Sequence, residues 1–85
     1  MMHSDHDARI FKVLAGVLGK SAAEVAQLAA SQESAGGDAQ FWDSLQHINI
    51  ILGLEAEFRV QFELMVAIDL KTIPRIRAQL ASMLG

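Results

Sequence analysis

Residues 41–58 read FWDSLQHINIILGLEAEF, and the placement of apolar side chains in this stretch decides the fold. At 100° per residue from Leu45, the polar positions Gln46, Asn49, Gly53 and Glu57 fall on one narrow side. The rest forms an apolar arc of roughly 220°, about twice the stripe a surface helix of a globular domain needs. Leu45, Ile48 and Leu52 occupy one edge of the arc; Ile50, Leu54 and Phe58 occupy the other, with Ile51 between. The pattern predicts a helix from about Ser44 to Phe58 with Asp43 as N-cap. A small domain covers one edge with its core. The other edge is then an exposed patch of the kind that marks a partner surface, a dimer interface, or a helix covered on two sides.

Working outward, Ile10, Val13, Leu14, Val17 and Leu18 recur at three- and four-residue spacing, which predicts an amphipathic helix over residues 7–18 that closes near Gly19. Residues 1–6 read as frayed. Residues 20–42 read as a long loop, with at most a short helical turn in SAAEVAQLAA and a loop composition in SQESAGGDAQ. Gly36-Gly37 lacks the lysine and helix start of a phosphate cradle. Beyond Phe58, Val60 and Phe62 alternate with Arg59 and Gln61, as in an extended linker that turns two side chains inward. Glu63 to Leu70 suits a short helix burying Leu64 and Ile68. Thr72 and Pro74 open a last helix whose stripe is Ile73, Ile76, Leu80 and Leu84. Met65 and Met83 read as core or edge fillers. The fold class is therefore all-α: a single domain over residues 1–85, a small bundle of three main helices plus one short helix.

Composition narrows the function. The chain has 85 residues, 52% of them apolar, no cysteine and a net charge of −3. The absence of cysteine removes disulfides, thiolate metal sites and a thiol nucleophile of the chain's own. Residues 41–70 hold five acids and one base, which argues against a nucleic-acid binder. Lys71, Arg75 and Arg77 read as a solvated helix face. No apolar run is long enough to span a bilayer, and no signal peptide pattern opens the chain, so a soluble cytoplasmic monomer is the expectation.

Ser44 stands at the first position of the central helix, where outward backbone N–H groups and the helix dipole favour an attached phosphate. Asp43-Ser44 also reads simply as a good cap. A hydrolase built on Ser44 and His47 lacks an orienting acid and an oxyanion hole. His47 lies on the inward side, between Leu54 and Phe58, as a half-buried histidine or as a contact for a bound group. His3 and His6 carry no functional reading.

The runs Asp43-Ser44-Leu45, Leu54-Glu55-Ala56-Glu57-Phe58 and Thr72-Ile73 together resemble the acyl carrier protein family. The match runs ungapped from about Trp42 to Leu80 and more loosely over residues 7–25. The resemblance implies a free-standing carrier with no catalytic residues and no metal site. In it a phosphopantetheinyl transferase joins 4′-phosphopantetheine to Ser44, flanked by Asp43 and Leu45. The arm's thiol would carry acyl groups as thioesters in fatty-acid, polyketide or related biosynthesis. It also implies a partner face of Leu45, Ile48, Leu52, Glu55 and Glu57 toward acyl-loading, condensing or acyl-transfer enzymes. Ile50, Leu54 and Phe58 would line the interior.

The departures are informative. Gln46, Asn49 and Ala56 stand where such carriers often have acids, leaving Asp43, Glu55, Glu57 and Glu63, so apolar contact is expected to outweigh electrostatic steering. Arg59 replaces a frequent glycine, which is expected to alter the left-handed turn after the helix. Phe41-Trp42 replaces small residues, with Trp42 either packed over the loop or touching the partner. An aminoacyl or peptidyl carrier, and an unmodified helical interaction module, remain the alternatives.

Overall fold

The structure, a computed structural model, describes residues 2–34 and 42–84, with side chains from residue 6 onward. Phe41, Gly36-Gly37 and the second half of the segment read as loop lie outside the described residues. The described chain is all-helical, with five helices: α1 (Met2–Leu18), α2 (Ala22–Ser34), α3 (Ser44–Phe58), α4 (Leu64–Asp69) and α5 (Ile73–Leu84). No single helix is long and apolar enough to cross a membrane.

Helix α1 lies against α2, α3 and α5, and α2 against α5, around one core. Ile10 and Leu14 of α1, Ile50 and Leu54 of α3, and Ile73, Ile76 and Leu80 of α5 are fully buried there. Packing of these faces, more than intrinsic propensity, holds helices of this length.

Four readings of the sequence are corrected. Helix α1 begins at Met2, five residues before the start expected at residue 7. The segment read as loop contains a full helix, α2, so the bundle has four longer helices and one short one. A reciprocal cap starts α2: the Ser21 N–H donates to Glu24 Oε1 at 2.9 Å, and the Glu24 N–H donates to Ser21 Oγ at 3.1 Å. Its buried face is modest (Val25, Ala29 and Gln32), and an alanine-rich face with a buried glutamine gives little hydrophobic period. Helix α4 turns Leu64 and Ile68 outward, and anchors instead through buried Leu70 and half-buried Val66 and Ala67. Leu84, Met65 and Met83 are exposed as well.

The junction of α2 and α5 explains the buried glutamine. Gln32 Oε1 accepts from the Ile73 N–H at 2.7 Å, satisfying a donor that α5 cannot satisfy within itself. Thr72 Oγ1 accepts from the Arg75 N–H at 3.4 Å, at the same end. The basic tail is not a free solvated face. Arg77 pairs with Asp7 at 3.0 Å and with Glu33 at 3.4 Å, and Arg75 with Asp69 at 2.8 Å.

Gly53 and Glu57, on the polar side of α3, pack against α1. A Cβ on Gly53 would lie 2.7 Å from Val13 Cγ1, so the glycine is a notch that admits Val13. One turn on, Glu57 holds Arg9 through a 2.9 Å ion pair, and Arg9 also donates to the Glu57 carbonyl at 2.6 Å. The Arg9 guanidinium lies 4.3 Å from the Phe58 ring centroid, and His6 meets the same ring edge-on.

After Phe58 the chain turns through Arg59 in the left-handed region, at φ 55° and ψ 49°. The turn expected to change on losing its glycine is retained. The Val60 N–H donates to the Glu55 carbonyl at 3.2 Å, and the Phe62 N–H to Glu55 Oε2 at 2.9 Å. These two bonds hold the linker in place, with Val60 and Phe62 packed on the core as the alternation predicts.

Candidate site at the start of the third helix

Asp43 starts α3 through a complete capping box. Its Oδ1 accepts from the Gln46 N–H at 2.8 Å, and its own N–H donates to Gln46 Oε1 at 3.1 Å. Asp43 thus has a structural task that fixes the helix start. Ser44, next along, is exposed as the first residue of α3. The cap box uses the N–H of Gln46, so the N–H groups of Ser44 and Leu45 remain at the tip, at the positive end of the helix dipole.

The two edges of the apolar arc separate as the periodicity predicts. Leu45, Ile48 and Leu52 are 68%, 55% and 57% exposed, whereas Ile50 and Leu54 are fully buried and Phe58 nearly so. Leu64 and Ile68, on α4, extend the exposed edge. Between the two helices lies an apolar cavity of about 220 Å³, lined by His47, Ile48, Ile51, Leu52, Leu64, Ala67 and Ile68. A second cavity of about 270 Å³ adjoins it, lined by Ser44, His47, Ile48, Ile68 and Lys71. The serine therefore opens onto one end of a groove whose other end is wholly hydrocarbon.

His47 forms the shared wall. The Trp42 Nε1–H donates to its Nδ1 at 3.1 Å, so the ring's proton sits on Nε2, which donates to the Ala67 carbonyl at 2.8 Å. With both nitrogens engaged, His47 has no lone pair to offer Ser44 as a base, and the two residues form no hydrogen bond. Trp42 is buried against the core and lies edge to edge with His47, with ring planes 16° apart. It packs under the site.

The acids expected on the partner face divide. Glu57 lies on the α1 side of α3, where the hydrogen bond from Arg9, aided by Lys12, holds its carboxyl below the usual carboxylate range. Glu55 caps the linker through Phe62. The structure does not bring either together with Leu45, Ile48 and Leu52 as a free docking charge. The sequence reading placed three residues of this groove elsewhere: Leu64 and Ile68 in the core, and Lys71 on a solvated helix face. An apolar side chain in a short helix reads as buried, so the signal available was only that six residues of helix cannot bury both faces. Among the described residues no group of His, Asp and Glu could hold a metal ion.

In comparisons with family models, curated proteins and solved structures, nothing matches this chain.

Proposed function

We propose that this protein is an acyl carrier, modified on Ser44 by 4′-phosphopantetheine and serving fatty-acid, polyketide or related biosynthetic enzymes. One observation carries the reading: an exposed serine at a capped helix start, beside exposed Leu45, Ile48 and Leu52 on a helix whose opposite edge is core. A catalytic serine would need a base. His47 is committed elsewhere, which favours a serine that another enzyme modifies.

The residues suit the group. The Ser44 hydroxyl is accessible, the N–H groups of Ser44 and Leu45 face the place where a phosphodiester would hang, and the helix dipole there favours its charge. In the attachment step Ser44 Oγ bonds to phosphorus while the pyrophosphate link of coenzyme A breaks. The nucleotide half leaves, and the hydroxyl proton passes to a base of the transferase. The arm supplies the thiol that a chain without cysteine lacks. Asp43 and Gln46 keep the serine at the helix tip, and Leu45, Ile48 and Leu52 offer apolar contact to the transferase and to acyl-loading, condensing or acyl-transfer enzymes.

The test is direct. The protein is incubated with coenzyme A and a broad-specificity phosphopantetheinyl transferase, and then weighed. The expected result is a mass gain of one phosphopantetheine that Ser44→Ala abolishes. No gain in the wild type would overturn the reading in favour of an unmodified interaction module.

A further inference from the structure

Four of the basic side chains are held in ion pairs. Arg9 and Lys12 meet Glu57, Arg75 meets Asp69, and Arg77 meets Asp7 and Glu33. Lys20 is exposed beside Glu24, and Arg59 is exposed at the helix turn. Lys71 differs from both. It is half-buried in the link from α4 to α5, and among the described residues no carboxylate pairs with it. The nearest acid in sequence, Asp69, is held by Arg75.

Lys71 lines the cavity that Ser44 opens onto, and the remaining walls are His47, Ile48 and Ile68. A lysine whose ammonium pairs with no carboxylate among the described residues is available to an anion placed in the cavity it lines. Neither nitrogen of His47 can supply an acceptor, since one already accepts from the Trp42 N–H and the other donates to the Ala67 carbonyl. A phosphodiester on Ser44 would place an anion in that same cavity.

We infer that Lys71 is the counter-charge for a phosphodiester on Ser44, meeting it in the cavity that both residues line. The inference rests on the carrier reading above. Lys71 thereby sets the direction in which the attached arm leaves the helix tip. With the phosphate drawn toward α4, the arm starts along the groove between α3 and α4.

Wild type, Lys71→Gln and Lys71→Arg are each loaded to completion with the transferase and coenzyme A, with mass as the check on loading. Circular dichroism then gives the melting temperature of loaded and unloaded forms, and phosphorus NMR reports on the phosphodiester. In wild type, loading is expected to raise the melting temperature by roughly 2–4 °C, an increment that shrinks toward zero in about 1 M salt. Lys71→Gln should lose the increment and move the phosphorus resonance toward that of the unfolded loaded chain, while Lys71→Arg retains both. The same increment and resonance in Lys71→Gln would overturn the assignment. A Lys71→Gln chain that fails to fold leaves the salt series and Lys71→Arg to decide, and an increment indifferent to salt then overturns it. Failure of wild type to gain mass overturns the carrier reading itself, and the mass alone shows that outcome.

Discussion

The indole of Trp42 and the imidazole of His47 form one unit: Nε1–H donates to Nδ1 at 3.1 Å, and the rings lie nearly parallel with centroids 6.5 Å apart. The unit extends to the Ala67 carbonyl and so ties the start of α3 to α4 across the floor of the groove. His47→Ala removes both hydrogen bonds. The expected cost is roughly 1–3 kcal/mol in denaturant unfolding. The chain has a single tryptophan, so its emission should shift to the red in the folded variant.

Helix propensity alone says that Gly53→Ala should stabilise α3 by about 1 kcal/mol. The structure reverses the sign. The new methyl meets Val13 Cγ1 at 2.7 Å, and a valine in a helix has one favoured rotamer and little room to turn. Overpacking of this kind costs about 1–3 kcal/mol, so net destabilisation is expected in thermal unfolding. In a Val13→Ala background the same substitution should become neutral or stabilising. A double-mutant cycle that finds the two changes additive would refute the notch.

Arg59 holds a left-handed conformation, at φ 55°, that an L side chain adopts at a cost. Arg59→Gly relieves that strain at the expense of a more flexible unfolded chain. A net gain of roughly 0.5–1 kcal/mol is expected from chemical denaturation. The Val60 N–H to Glu55 carbonyl bond should persist, as slowed amide exchange at Val60 would show.

The Glu57 carboxyl titrates below its usual range because Arg9 hydrogen-bonds to its charged form. A depressed carboxyl contributes stability that is fully present above its unfolded pKa of about 4.3 and fades as pH falls through the lower folded value. Melting temperature should therefore fall more steeply from pH 5 downward in wild type than in Glu57→Gln. Parallel curves would refute the assignment.

The exposed edge of α3 should separate function from stability. Ile48→Ser and Leu52→Ser change side chains that are 55% and 57% exposed. Each should alter unfolding free energy by no more than about 0.5 kcal/mol, while lowering kcat/KM for loading by the transferase at least severalfold. Loading rates should also depend little on salt, since Glu55 and Glu57 are committed to bonds within the chain. Steep salt dependence would show that charge steers the encounter after all.

The central helix was legible because its signals are local. Asp43 as cap, the division of the arc into Leu45-Ile48-Leu52 and Ile50-Leu54-Phe58, and the Thr72 cap each follow from spacing within one turn or two. What stayed hidden depends on partners far along the chain. Gln32 is buried because Ile73, 41 residues on, needs an acceptor. Glu57 looked like a docking charge until Arg9, 48 residues away, claimed it. Helix α2 was half legible, since Ser21 and Glu24 spell a capping box, but its alanines lack the contrast that periodicity needs. Leu64 and Ile68 defeat pattern reading altogether, because hydrophobicity names what can be buried and not what is.

Leu64 and Ile68, with the edge of α3, give the molecule one apolar flank. The ion pairs of Arg9 and Lys12 with Glu57 sit on the far flank of α3. At an oil–water boundary such a particle would not tumble freely. Its apolar flank would turn toward the oil, with position 44 beside it.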